Sequence, residues 1–536
     1  MKKKFNKKVL FCIVFVTWSF FELNLNANAH ELKIRLENLN PAFVEYVKNI
    51  KNGDEIKDHD KNFFGMIPNT IEFKKDYSPD DNDNTKYEQK NKSSLPSKYI
   101  ADLTPIRNQG SYGSCWACAM ASVVEGSFFK KFGDLIEISV PNIIYHLNYD
   151  ASLNNKYSSD AEEGGLFSLA TAYFASGRGA VLAENDVCYN DMFNKSNPEH
   201  WSVKKRQFLD TNLISLDYPA YYLRDVKFIP DPIIYNKRTR EIHRNKIKRA
   251  IMNFGGVASS FLYDPEYGSK DEKNYCNLED FGWFGPNHAI KIIGWDDNYS
   301  RTNFKYRPQN NGAFIVQNSW GKEWGDNGIF YMSYEDVYAG NNSVAVTNID
   351  DFKEKYSFYK IYQDDYFGMV LSAPTKTNEL FLAKIFDLRC QRENLTDIGL
   401  FIADSEVNCE FYLADLDSEN KISGLGEAIG EKYFEFPGYY TVALNNIREL
   451  GKKDNNGKFA IIVKMTSESG NEIKLPLEVK SQFTATSQAF GYKNENFVNI
   501  NGEWEDIFDA VKDDTGWNLF EVTNLNIKAF TEIVER

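Results

Sequence analysis

Residues 109–120 read Q-G-S-Y-G-S-C-W-A-C-A-M, a glycine-punctuated loop that runs into an apolar stretch. Gly110 and Gly113 allow a tight approach, and the spacing of Ala117–Lys131 predicts a buried helix. Cys115 then sits near the helix N-terminus, where unpaired N–H groups and the helix dipole favour a thiolate. A thiolate attacks a carbonyl carbon. Gln109 and the Cys115 backbone N–H offer a donor pair for the oxyanion that results. A cysteine before a tryptophan is weak evidence alone, since most helix cysteines are buried and inert.

Two further stretches change that balance. Asn287-His288-Ala289-Ile290 opens a strand-like run that ends at Gly294-Trp295-Asp296-Asp297. A histidine at a strand start can face a neighbouring helix N-terminus, serving as base for Cys115 and as acid for the leaving amine. Of the six histidines, His30, His59 and His200 lie in polar surroundings, and His146 and His243 lack a catalytic neighbour. Val316-Gln317-Asn318-Ser319-Trp320-Gly321 supplies the third piece. Asn318 would fix the histidine tautomer, and Trp320 would shield that bond from water. A neutral amide suits this place, because the thiolate already balances the imidazolium.

On these residues the chain resembles a papain-like (C1) cysteine peptidase across about residues 95–345. The matching runs are QGSYGSCWA, Gly164-Gly165, NHAIKIIGW and NSWGKEWGDNGIFYMSY. The resemblance implies a catalytic set of Cys115, His288 and Asn318, with Gln109 completing the oxyanion hole. It implies that Gly164, Gly165 and Trp320 line a substrate cleft between a helical lobe and a β-rich lobe. Met66-Ile67-Pro68-Asn69 and Leu95-Pro96-Ser97 resemble secreted bacterial members, including clostridial surface peptidases, and place the mature start near Leu95. Three departures stand out. Tyr112 occupies a position where many relatives carry a disulfide cysteine. Cys118 stands where an aromatic is common, and it is open to three readings: a buried inert thiol, a paired one, or a resolving thiol during oxidation. The 173-residue gap from Cys115 to His288 exceeds the roughly 130–150 usual for the pattern. An insertion is expected, best placed at Tyr189–Tyr235, where it would lengthen a cleft wall.

The rest of the chain divides by texture. MKKKFNKK followed by the apolar run Val9–Phe21 and Ala27-Asn28-Ala29 reads as a cleaved secretory signal over residues 1–29. Its loss takes five lysines and one glutamate and leaves a net charge of −18. Residues 30–94 read as a propeptide or linker, with a short helix at Pro41–Lys51. Residues 95–347 form the peptidase domain, with helices before strands, an α+β order. Residues 348–536 carry strand-like runs, among them Phe381–Phe386, Tyr439–Leu444, Lys458–Met465 and Gln488–Tyr492, and are expected to form an all-β sandwich. That region resembles the lectin-like domain of the same bacterial proteins, which implies a cell-surface or glycan ligand. Related domains are associated with calcium. Glu503, Glu505, Asp506 and Asp509 offer oxygen ligands for a structural ion, although solvated loop acids are the plainer reading. Catalysis itself calls for no cofactor. Cys390 with Cys409, and Cys188 with Cys276, are candidate disulfide pairs.

Composition sets the outer limits. The 536 residues carry a net charge of −14, which gives no basic footprint for nucleic acid. Seven cysteines exclude a disulfide-dense scaffold. A mean hydropathy of −0.49 excludes a polytopic membrane protein, and no apolar run after the signal is long enough for a transmembrane anchor. The leading expectation is a secreted or cell-surface cysteine endopeptidase acting on polypeptides. The alternatives are a catalytically silent binding protein acting through the C-terminal sandwich, and acyl or amide transfer on the same fold.

Overall fold

The computed structural model describes residues 34–36, 39–51, 65–77, 94–150, 155–156, 164–177, 179–183, 221–279, 285–351, 359–451, 457–484, 486–499, 502–513 and 519–535. The signal segment, Cys188 and most of the expected insertion lie outside them. The Cys115–Phe132 helix is buried without interruption from Cys115 to Phe128. Its girth is accordingly apolar but for Ser122, Glu125 and Ser127, and it ends where Gly133 turns left-handed (φ 82°) and donates to Phe129 O. Val140–Asn148 and Phe167–Ala175 pack beside it to make the helical lobe. The facing lobe is antiparallel: Val257–Phe261, His288–Asp296, Ala313–Gln317 and Ile329–Ser333 lie side by side, with Lys98–Ile100 also paired to His288–Asp296. Lys237–Phe254 covers this sheet. Asn236 caps that helix by accepting from the Arg238 and Thr239 N–H groups.

The sheet does not stop at the protease lobe. Tyr221–Ile229 pairs with Ser343–Asp351 on one side and with Gly438–Gly451 on the other. A single sheet thereby runs from the active-site strands to Arg392–Ile402, Ile527–Glu535 and Tyr359–Tyr362 in the C-terminal half. Gly438 makes the crossing possible. Its φ is 153°, and a Cβ there would lie 2.0 Å from Val226 O. The described end of the expected insertion is thus a joining strand rather than a cleft wall. A second, six-stranded sheet (Ile422–Phe434, Val407–Leu416, Lys458–Ser467, Glu379–Asp387, Asn496–Asn499, Trp504–Asp506) faces the C-terminal part of the first. Leu382, Phe411 and Val463 from one sheet share a core with Ile398, Leu400 and Phe401 from the other.

Several expectations are corrected. Gln488–Tyr492 is not a strand; its main chain runs through turns, and the Phe490 carbonyl accepts from Asn524 Nδ2 at 2.7 Å. Ile422–Phe434 is a 13-residue strand that the sequence conceals, since its Gly-rich, mostly exposed pattern has no apolar alternation. Cys390 and Cys409 are both free thiols, as is Cys276. Cys409 is buried in the second sheet, whereas Cys390 sits in the turn before Arg392–Ile402, its N–H bound to Glu393 Oε1 at 2.7 Å. Asp506 and Asp509 are committed locally: Asp506 accepts from Phe508 N and Asn494 N, and Asp509 pairs with Lys493. Among the described residues no group of three or more His, Cys, Asp or Glu converges on a metal-sized point.

Candidate active site

Cys115 opens its helix directly after Ser114, whose φ of −112° is non-helical and whose side chain caps nothing. The first-turn N–H groups around the sulfur are therefore not consumed by a side-chain cap. His288 opens the facing strand. Its Nε2 lies 2.7 Å from Asn318 Oδ1. The same oxygen accepts from Ser319 N at 2.8 Å, so it is Asn318 that accepts and Nε2 that carries the proton. The basic lone pair of the neutral ring is thereby assigned to Nδ1. Trp320 stacks on the imidazole at 4.6 Å and 18°. Trp324 and Tyr263 in turn meet Trp320 edge-on, and the aromatic stack keeps water off the His–Asn bond.

Gln109 is held at both ends of its amide. Ser319 Oγ donates to Oε1 at 2.6 Å, Nε2 donates to Tyr112 O at 2.8 Å, and the Gln109 N–H donates to Ser319 O at 2.8 Å. The loop carrying Gln109 is thus stitched to the loop carrying Asn318. Cys115, His288, Gln109 and Asn318, called from the sequence, are all buried at the meeting of the two lobes.

The cleft is filled by the chain's own upstream segment. Gly165 N donates to Gly65 O at 2.9 Å, and Ile67 N donates to Gly165 O at 3.1 Å. Met66 N reaches across to Asn287 O, beside His288, at 3.4 Å. The Met66–Gly165 pairing is parallel, which gives the direction of the segment. Gly65 lies on Gly113, two residues before the thiol, with φ 107°; a Cβ there would be 2.1 Å from the Gly113 carbonyl carbon. Gly164 turns left-handed beside this contact, and a side chain at Gly165 would strike Trp116.

Burial sets the electrostatics of the two groups. It pushes the Cys115 thiol far above its usual range, although the Ala289 N–H directed at the sulfur pulls the other way. It drives His288 down to about 3, against the bond to Asn318. Both shifts favour the neutral forms of the two groups.

The family description "Papain family cysteine protease" matches residues 92–349, and "Lectin like domain" matches residues 361–531. The chain carries a papain-family cysteine protease domain fused to a lectin-like domain. The solved structure of the cysteine protease and lectin-like domains of Cwp84, a surface layer associated protein of Clostridium difficile, is 23% identical and covers 93% of this chain and 98% of that one, with a TM-score of 0.68. Cwp84 after propeptide cleavage is 24% identical, covering 80% of this chain and 97% of that one, with a TM-score of 0.62. Cathepsin J of Mus musculus is 26% identical over 47% of this chain and 61% of its own length. A probable cysteine protease, RD19B, of Arabidopsis thaliana is 22% identical over 46% of this chain and 59% of its own. The chain therefore spans less than two thirds of the length of these curated relatives.

Beneath the protease site lies a charged cluster that the sequence reading missed. Arg107 meets Glu125 in a buried pair and also donates to Ser122 Oγ and Ile138 O. Lys291, buried in the histidine strand, donates to Ser122 O at 2.8 Å and Thr104 Oγ1 at 3.2 Å. Thr104 continues to Gln317, the neighbour of Asn318. Burial lowers the Lys291 ammonium to about 7. The available signal was the lysine inside the otherwise apolar run NHAIKIIGW.

Proposed function

We propose that the protein is a secreted, surface-acting cysteine endopeptidase made as a self-blocked precursor. The observation that carries this reading is the occupied cleft. A main-chain segment is held by the Gly165 backbone, against Gly113 and beside His288, where an extended polypeptide substrate would lie. Removal of residues 65–67 from the cleft rehydrates Cys115 and His288. The thiol proton then passes to His288 Nδ1, and Asn318 and Trp320 hold the imidazolium in place. The Cys115 sulfur attacks the scissile carbonyl. Gln109 and the Cys115 N–H take the oxyanion charge. His288 protonates the leaving amine, and water activated by the same ring releases the acyl group. The steps draw only on the chain's own thiol, imidazole and amides. The secretory signal in the sequence and the likeness to a surface layer associated protein support action outside the cytosol. The lectin-like domain supports a role in holding a glycan or surface ligand.

The test is intact-mass analysis of the processed protein with a thiol-directed peptidyl epoxide, alongside cleavage of a denatured protein under reducing conditions. One adduct on Cys115, with matching loss of cleavage, is expected. Cys115→Ala should lose turnover by on the order of 10⁴-fold or more while remaining folded. Cleavage retained in that variant would remove the assignment.

A further inference from the structure

The nucleophile is the first half of a C-x-x-C pair, Cys115-Trp116-Ala117-Cys118, at a helix start. The proposed mechanism uses only the first cysteine. The second is a free, buried thiol. Three features bring the two together. Ala117 N and Cys118 N both donate to Ser114 O, at 3.1 and 3.0 Å. The first turn thus has 3₁₀ character, which brings side chains three residues apart toward the same line. Both cysteines also face the same strand: the Ala289 N–H is directed at Cys115, whose sulfur also feels the charge of Cys118, and Cys118 borders a small gap together with Ala289, Arg107, Asn318 and Ser319. Finally, the Arg107 guanidinium beside Cys118 favours its thiolate against the upward push of burial. Side chains three apart on a helix sit about 5–6 Å apart at Cβ, and a disulfide needs roughly 3.5–4.5 Å. A first-turn adjustment of an ångström or two closes the difference, and the uncapped first turn permits it.

We propose that Cys118 is a resolving thiol, so that peroxide converts the uncovered nucleophile into a reversible Cys115–Cys118 disulfide instead of an irreversible acid. The proposal rests on the reading of Cys115 as nucleophile. Hydrogen peroxide transfers one oxygen to the Cys115 thiol, giving a sulfenic acid and water. The Cys118 sulfur then attacks the Cys115 sulfur and displaces the hydroxyl, which leaves as water with the Cys118 proton. A dithiol reductant returns both thiols and is itself oxidised to a disulfide.

Processed wild-type enzyme and the Cys118→Ala and Cys118→Ser variants are treated with graded hydrogen peroxide. Each is then divided, with or without dithiothreitol, before epoxide titration and peptide mass mapping. In wild type the Asn108–Lys130 peptide should lose two hydrogens, and dithiothreitol should restore most epoxide labelling. In the variants the same peptide should gain two or three oxygens, with recovery at least ~10-fold lower. Wild type that labels at the start, then gains those oxygens and stays unlabelled, overturns this proposal alone. Wild type that never labels overturns the nucleophile assignment and this proposal with it. The wild-type mass map decides the matter even if both variants fail to fold.

Discussion

Both halves of this chain bury ions, and they use them differently. In the protease domain Arg107 and Glu125 are paired out of water, with Lys291 beside them. Their hydrogen bonds lead through Thr104 to Gln317 and the Asn318 loop. In the lectin-like domain Lys528 and Asp365 form a fully buried pair at 2.7 Å, and Glu478 accepts from Phe367 N, Thr523 Oγ1 and Asn524 Nδ2. These bonds fix the segment Gln363–Val370, which lies against the helical lobe: Gln363 donates to Ser176 O, and Gly368 abuts Ala172. One cluster braces catalytic loops; the other braces the joint between halves. Each opposes a desolvation cost with tight pairing, so each is sensitive to loss of one partner.

The largest expected effects come from removing one ion of each pair. Arg107→Met and Lys528→Met should each destabilise the fold by about 3–5 kcal/mol, because Glu125 or Asp365 is left charged and unpaired. Urea denaturation measures this. Only Arg107→Met should also lower kcat/KM per epoxide-titrated site, since only that cluster reaches Gln109 and Asn318. Equal losses of kcat/KM in the two variants would erase the distinction between the clusters.

A second prediction separates them by pH. Burial, with Asp365 nearby, raises the Glu478 carboxyl from 4.5 to about 7. The native state therefore binds its proton over a range where the unfolded chain has released it. Stability from this group is full below about pH 4.5, declines as pH rises towards 7, and is flat above. Glu478→Gln removes that slope. Relative to wild type, the variant should gain on the order of 2 kcal/mol at pH 8 over its difference at pH 5. Paired denaturation curves at the two pH values test the sign. His288 and His243, both held low by burial, act in the opposite direction in wild type and variant alike, and cancel in the comparison.

The candidate site stands out in the sequence because the chemistry it suggests calls for rare residues at fixed places: a cysteine at a helix start, a histidine at a strand start, an amide before Ser319-Trp320. The helices expected at Pro41–Lys51 and Ala117–Lys131 were legible from apolar spacing. What escaped was whatever depends on partners distant in sequence. Tyr221–Ile229 joins the strands of the two halves into one sheet through residues more than a hundred positions away. Ile422–Phe434 owes its extension to pairing with Val407–Leu416 rather than to an apolar face. The Arg107–Glu125–Lys291 cluster is assembled from three separate segments. The upstream segment reads in the sequence only as a propeptide or linker, and nothing there gives the direction in which it meets Gly165.

That segment offers a sharper test of the protease half. Gly65 has φ 107° and no room for a Cβ against Gly113, so Gly65→Val cannot keep the seated conformation. The full-length precursor of this variant should react with the epoxide at Cys115 at least ~10-fold faster than wild-type precursor, by the few kcal/mol such strain and overlap remove. Equal rates would mean that the segment does not guard the thiol.

The smallest expected effect is the control that gives the first its meaning. Lys98 and Asp296 form an ion pair at 2.8 Å on the same protease sheet, but the lysine side chain is 61% exposed. Water already solvates that charge, so Lys98→Ala leaves no buried ion behind. It should cost about 0–1 kcal/mol and leave kcat/KM unchanged. Arg107 and Lys98 are each paired with a carboxylate and differ greatly in access to water. A loss from Lys98→Ala comparable to that from Arg107→Met would show that pairing itself, rather than the burial of the ion left over, governs stability in this domain.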